Sequence, residues 1–452
     1  MKKLLEKLQF DVLEDKPIKV LICITLPIII VNVISVFTAS ITNSIYSRYV
    51  GQVVFTVTGL ISTIVSAFAS FVNSTYSAAW IKTAGSYSKE NRGKAGNKIY
   101  NSIYAITLVE LVCGAVFILL AEPIFALANI PTEAKGDTMT YYIWYIVSYI
   151  FVSVSGLFAS VHNGVGSAFN IFVINLITTF ISTFSAFVLL GVFNLGVTGY
   201  ALLSAFNSLL SLIYCIIIVA RKGVGLKLNK ENLKPDFKLI FSITRYGLLI
   251  ALQTLLCSVG YFAVSIQTNK YLSLDYIAVT AVSLPISGPM GALSSAVSIF
   301  IPQNFAAGKT ERVRKFLNMT LALNVGYGAI CAIIYWSLGR WYYSTLFTDP
   351  NIVNLGAQYW MWYGLGFIFV AVLYVVRVFY DCIGMSNVAL FSGVSEMIGS
   401  FICAFWLIPT FGNIGNTLMF PISWFIAASY LLVSYTLLKK RIYHQCDMNR
   451  LN

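Results

Sequence analysis

The sequence predicts an all-α polytopic membrane protein, with twelve transmembrane helices in two pseudo-twofold-related six-helix bundles. Three observations carry this. Hydrophobic residues fill 58% and charged residues 10% of 452 positions, against roughly 45–50% and about 25% in a soluble domain. Apolar stretches long enough to span a bilayer, about 20 residues each, follow one another along the chain. The basic residues between them alternate from side to side. So little charge does not cover a soluble enzyme of this size. An outer-membrane barrel is excluded as well, because its strands read as alternating segments of about ten residues.

The spans are read at 20–47, 53–80, 99–120, 138–158, 164–190, 197–220, 245–268, 277–300, 317–338, 354–376, 386–409 and 416–438. Pro131, Gly191, Gly196, Pro235, Asp349-Pro350, Gly412 and Gly415 punctuate them. Glu6, Asp11, Glu14 and Asp15 interrupt the place where a cleavable signal would carry its apolar core. Leu4, Leu5, Leu8 and Leu13, with Lys2, Lys3 and Lys7 nearby, make one face of a short helix suited to a membrane surface.

The net charge is +13. With the N-terminus inside, 26 of the 30 basic residues fall in inside segments, and only Arg48, Lys135, Lys270 and Arg340 fall outside. That obeys the positive-inside rule. It supports an even number of spans and cytoplasmic termini, and it makes the charge an orientation signal rather than a nucleic-acid surface. The localisation expected is a cell membrane, inner or plasma, crossed many times.

The chain also repeats. WIKTAGSYSKENRGK (80–94) and FIPQNFAAGKTERVRK (300–315) align with a shift of 220, placing Lys89, Arg92 and Lys94 on Lys309, Arg312 and Arg314. Gly166 through Gly196 maps onto Gly384 through Gly415 with nearly the same shift. The organisation expected is an N-terminal segment 1–19, a first lobe 20–222, a cytoplasmic linker 223–242, a second lobe 243–438 and a tail 439–452. Six spans per half give both halves the same direction, related by an axis along the membrane normal. That arrangement suits alternating access through a cavity between lobes.

Acids inside apolar spans are costly and are functional candidates by default. Glu110 and Glu396 stand mid-span and are the candidates for binding a coupling proton or cation; the bland alternative is a hydrogen-bonded structural carboxyl. Arg377 and Asp381, four apart on one helix face, are expected to form an ion pair near the inner mouth. Thr42, Asn43, Asn175, Ser185, Gln253 and Gln267 are candidate polar residues of a cavity, against the plainer role of joining helices. Trp144, Trp336, Trp341, Trp360 and Trp362, at span ends, read as an interfacial belt. Other rings could face a cavity and hold flat or cationic compounds.

Nothing in the chain builds an enzyme. There are two histidines, His162 and His444, and no GxxxxGK[ST] loop. The eight cysteines are scattered without a CxxC pair, so no metal cluster or disulfide framework is expected. Secondary transport remains.

Several segments resemble one family. IPQNFAAGKTERVRK (301–315), LFTDPNIVNLGAQYW (346–360), RYGLLIALQTLL (245–256), LGVTGYALLSAFNSLLS (195–211) and LPIIIVNV (26–33) are similar, in the same order, to motifs of the multidrug and toxic compound extrusion (MATE) transporters. The resemblance implies a twelve-helix antiporter that exchanges drug-like compounds for H⁺ or Na⁺ and uses no other cofactor. Its expected partners are cationic amphipathic small molecules and membrane lipid, with no nucleic acid, and the chain is expected to act as a monomer. Departures stand beside the likeness. The acids that many members carry near Thr42 or Asn43, near Ser185, near Cys257 and near Val372 are missing. Two other readings stay open: a lipid-linked oligosaccharide flippase of the same superfamily, which would need a basic cavity, and a non-transporting receptor or assembly protein.

Overall fold

The structure is a computed structural model. It describes residues 10–50, 53–84, 95–127, 130, 132–164, 168–221, 231–281, 283 and 288–449; within the helices some side chains, Asn43 among them, lie outside the described set. The expected surface helix around Leu4 to Leu8 and the repeat members Lys89, Arg92 and Lys94 also lie outside it.

The long helices are α1 (Pro17–Tyr49), α2 (Val53–Thr83), α3 (Ala95–Leu119), α4 (Lys135–Gly164), α5 (Ala168–Ala186), α6 (Gly196–Arg221), α7 (Phe237–Tyr271), α8 (Gly288–Ala306), α9 (Thr310–Leu346), α10 (Pro350–Cys382), α11 (Ser386–Ile402) and α12 (Met419–Met448). Among the described residues, nine helices are long and apolar enough to cross a membrane. The helices α1, α2 and α8 stand at further predicted spans.

Several boundaries differ from the hydropathy reading, for physical reasons. The described residues around the span expected at 277–300 include a short helix, Leu274–Ala281, and α8, described from Gly288. Helix α9 has 37 residues, about 55 Å at 1.5 Å per residue, far longer than an apolar core of about 30 Å. Hydropathy marks only its apolar middle. Helix α7 begins at Phe237, inside the expected linker. Asp236 caps it, accepting the Leu239 N–H at 3.0 Å. Asp349 caps α10 in the same way at 2.8 Å, with Pro350 in the first turn.

The chain divides into two compact units: residues 1–15 with 22–251, and residues 16–21 with 252–452. The division falls within α7. In the first unit α4 packs on α2, α3 and α6, α2 on α3, and α5 on α6. In the second unit the same pairs recur with six added to each number: α10 on α8, α9 and α12, α8 on α9, and α11 on α12. The repeat extends to a local irregularity. Helix α5 runs into a π-helical turn at Phe187–Val192, and α11 into one at Cys403–Leu407, 216 positions further on. In the first the Phe193 N–H reaches Val188 O at 3.0 Å; in the second the Ile408 N–H bonds to Cys403 O. Left-handed residues follow each turn, Asn194 and Gly196 in one and Gly412 in the other.

The first unit also clamps the chain that leads into α7. Asn97, Asn101 and Tyr104 of α3 lie on one helix face. Asn97 Nδ2 donates to the carbonyls of Glu231, Asn232 and Lys234. Asn101 accepts the Asp236 N–H at 2.6 Å and donates to Lys234 O at 3.2 Å. Tyr104 donates to Leu233 O at 3.1 Å. In the second unit Trp360 is not part of a surface belt: it is buried and stacks between Tyr335 and Tyr342 at centroid distances of 4.0 and 4.6 Å. Trp336 and Trp341 are exposed, as a belt requires.

Candidate functional site: a hydroxyl-lined cavity and two buried carboxyls

An open cavity of about 480 Å³ is lined by helices of the first unit. Four helices line it. Helix α1 supplies Ser35, Thr38, Thr42 and Tyr46; α5 supplies Thr178, Thr179, Ser182 and Thr183; α6 supplies Asn207, Ser208 and Ser211; α4 supplies Val152 and Ser155. Steps of three and four keep each set on one helix face. Arginine, lysine, aspartate and glutamate are all absent from the described lining.

The direction of the hydroxyl protons sets the character of this wall. Thr42 donates to Thr38 O at 2.8 Å, Thr38 to Ile34 O at 3.0 Å, Thr179 to Asn175 O at 2.7 Å and Ser208 to Ser204 O at 2.8 Å. A hydroxyl has one proton and two lone pairs. Protons committed to the helix backbone leave lone pairs for the cavity. Across it Thr42 and Thr183 share a proton at 3.0 Å, and Asn207 Nδ2 donates to Ser182 at 2.8 Å. Asn207 Oδ1 is buried without a partner among the described residues. Tyr46 meets Tyr200 edge-on at 4.7 Å, and Tyr141 stacks on Tyr200 at 5.2 Å, adding an aromatic group beside the lining.

Of the residues expected to form a polar cavity, the structure places Thr42 here. The side chain of Asn43 lies outside the described set. Asn175 contributes its carbonyl, as acceptor for Thr178 and Thr179, and Ser185 is buried away from the lining. Gln253 and Gln267 belong to the second unit, where the Oε1 atom of each is buried without a described partner. Most of the lining went unread in the sequence. The signal was present as hydroxyls repeating at helical spacing, Ser35-Thr38-Thr42 and Thr178-Thr179-Ser182-Thr183.

Glu396 sits in the second unit, 2% exposed. Arg377 Nη2 lies 2.6 Å from its Oε2, and Cys257 Sγ donates to the same oxygen at 3.3 Å. Tyr261 donates to Oε1. The guanidinium also donates from Nε to Ser392 at 2.9 Å. The ion pair expected between Arg377 and Asp381 is thereby corrected: the carboxylate paired with Arg377 is Glu396 of α11, while Asp381 accepts a hydrogen bond from Ser386 at 2.7 Å. The i, i+4 rule sees only one helix, and the true partner came from the next.

Glu110, in α3, is also 2% exposed. Ser153 of α4 lies 2.8 Å from its Oε2, and its Oε1 is buried without a described partner. On the same helix Ile106, four positions before it, belongs to one apolar cluster, and Cys113, three positions after it, packs against another.

Two compact helical units with bilayer-length apolar helices, and an open polar cavity lined by one of them, define a membrane transporter rather than an enzyme. The comparisons with known proteins specify it. The MatE family model matches residues 27–188 and 250–406, and the chain belongs to that family. It is similar to the probable multidrug resistance protein YpnP of Bacillus subtilis (strain 168), 20% identical over 372 residues, covering 81% of this chain and 83% of the relative. Its fold is similar to that of the Vibrio cholerae MATE transporter VcmN in the bent form, with TM-score 0.80 at 12% identity, covering 95% of this chain and 98% of that one. It is similar also to a MOP superfamily transporter from Pyrococcus furiosus, described as having a binding pocket of reverse polarity, with TM-score 0.76 at 14% identity, covering 98% of each chain. The protein is thus a multi-pass membrane transporter that handles small molecules.

Proposed function

We propose that this chain is an ion-coupled antiporter that exports organic cations or related drug-like compounds by alternating access, in exchange for H⁺ or Na⁺. One observation carries the substrate class. The cavity of the first unit turns hydroxyl protons into its helices and lone pairs toward its interior. Such a wall attracts positive charge without a fixed negative one, and the nearby tyrosine rings add cation–π attraction. The name of the YpnP relative, a probable multidrug resistance protein, agrees with this reading. A flippase for pyrophosphate-linked sugars would need arginine or lysine in the lining, and the described lining has neither.

The test is drug efflux in a host stripped of its own exporters, followed by transport in vesicles with imposed H⁺ or Na⁺ gradients. Efflux of a cationic dye that stops when both gradients are collapsed supports the proposal. Transport confined to anionic compounds, or efflux indifferent to both gradients, would sink it.

A further inference from the structure

We infer that Glu110 and Ser153 form a proton-operated switch behind the wall of the cavity in the first unit. Glu110 carries a transferable proton, and its presence decides where Ser153 directs its own. The inference deepens the transport reading and rests on it for its place in a cycle; the protonation of Glu110 stands independently.

The geometry at Ser153 leads there. Ser153 Oγ lies 2.6 Å from Tyr149 O and 2.8 Å from Glu110 Oε2. A hydroxyl has one proton, so two arrangements share these distances: Ser153 donates to a carboxylate, or it donates to Tyr149 O and accepts from a carboxylic acid. Burial of the second carboxyl oxygen selects between them, and we assign the acid: Ser153 donates to Tyr149 O, and Glu110 donates from Oε2 to Ser153 Oγ. Glu110 Oε1, buried without a described partner, is then the neutral carbonyl oxygen of an acid. An unpaired oxygen of that kind costs far less than an unpaired carboxylate oxygen in an apolar setting.

Among the described residues no countercharge is paired with Glu110. Ser153 of α4 is its hydrogen-bond partner, and Cys113, one turn along α3, lies within its electrostatic reach. The other titratable side chains of the neighbouring helices in this region are Tyr149, which accepts from Asn73, and Tyr76, whose ring packs at Gly156. Glu122, on the short helix after α3, pairs with Lys135. Glu396 presents the opposite case. Both of its oxygens are occupied by Tyr261, Arg377 and Cys257, so its charge is matched by a guanidinium.

Loss of the proton has a structural consequence. When Glu110 gives its proton to water, Ser153 has to turn its single proton to the carboxylate, and Tyr149 O loses its side-chain hydrogen bond. A serine that bonds back four residues changes the local curvature of its helix. Val152 and Ser155, either side of Ser153, line the cavity. The proton on Glu110 therefore acts on the wall that meets the transported compound, and substrate and proton are coupled through the same turn of α4.

Infrared difference spectra of the purified full chain in lipid nanodiscs, across a pH series, test the proton. The expected result is a carbonyl stretch of an unhydrated carboxylic acid at neutral pH. It should be lost at high pH and absent in Glu110→Gln. With glutamate isotope-labelled, Ser153→Ala must shift the band in a protein that keeps Glu110, which guards against a misfolded glutamine variant. A spectrum without such a band, or a band indifferent to both changes, overturns the inference. Ethidium binding, followed by fluorescence over the same pH series, tests the switch. Binding should follow the band in the parent and lose its pH dependence in Glu110→Gln and in Ser153→Ala. An unaltered pH profile in both variants overturns the switch. If ethidium and other organic cations fail to bind the parent at any pH, the cation-export reading falls, and the infrared result still decides the proton.

Discussion

Arg377 Nη2 stands 2.6 Å from Glu396 Oε2, joining α10 to α11 through an ion pair whose side chains are 14% and 3% exposed. Tyr261 and Cys257 of α7 close the same carboxylate, so three helices of the second unit meet at one charge pair. Breaking one side of a buried pair leaves the other charge uncompensated, at a cost of about 3–5 kcal/mol, whereas replacing both with apolar side chains is often neutral. Arg377→Met and Glu396→Leu should each lower the melting temperature sharply, and the double variant should recover most of the loss. Thermal unfolding of the purified protein in detergent measures this. A double variant no better than the worse single one would show that the pair is not the unit of stability.

The clamp on the 231–236 segment makes a second prediction. Asn101 is fully buried and satisfies both the Asp236 N–H and the Lys234 carbonyl. Asn101→Ala removes both hydrogen bonds from residues that water reaches, at a cost of about 0.5–1.5 kcal/mol each. The segment should detach locally before the unit unfolds. Trypsin cleavage after Lys238 should therefore accelerate in Asn101→Ala under native conditions, and also in Asn97→Asp, which turns a carboxylate toward the three carbonyls that Asn97 holds. Equal cleavage rates for Asn101→Ala and the parent would remove the clamp from the account.

The cavity gives a third. Thr42 and Thr183 meet at 3.0 Å on its wall. Thr→Val keeps the shape of the side chain and deletes the lone pairs. The double variant Thr42→Val/Thr183→Val should weaken binding of an organic cation about tenfold, as the loss of roughly one hydrogen-bond-sized interaction predicts, and leave the melting temperature nearly unchanged. Dye-binding titrations decide it; unchanged affinity would place the substrate elsewhere.

How much of this was legible in the sequence depends on the range of the interaction. Span positions and the repeat follow from local apolarity and from shifts such as Gly196 to Gly412–Gly415, and the structure shows the same helix pairs and π turns in both halves. Helix ends in water were missed at Phe237 and Leu346, because hydropathy is blind to them; the caps at Asp236 and Asp349 marked two of the ends. Glu110 and Glu396 stood out because a buried acid is rare, but their partners Ser153 and Arg377 could not be assigned. Each contact crosses between helices, and spacing along one helix says nothing about rotation of the next. The cavity was nearly invisible for a related reason. Threonine and serine are common in apolar helices, so only their recurrence at steps of three and four carried the message.

The last prediction concerns orientation. The basic residues divide 26 to 4 between alternate segments, and translocating a segment rich in lysine and arginine is disfavoured. Both termini and the segment leading into α7 are therefore expected in the cytoplasm, with Lys270 at the end of α7 outside. Seven of the eight native cysteines are buried, and Cys113 is partly so. With Cys113→Ser as background, a membrane-impermeant thiol reagent should distinguish introduced sites cleanly. Lys270→Cys should label in intact cells. Lys234→Cys should label only after the membrane is opened, and so should a cysteine in place of Lys440, near the end of α12. Lys270 and Lys234 lie at opposite ends of one continuous helix and its lead-in, so the pair acts as an internal control. Labelling of Lys234→Cys from outside, with Lys270→Cys protected, would invert the topology and with it the direction assigned to export.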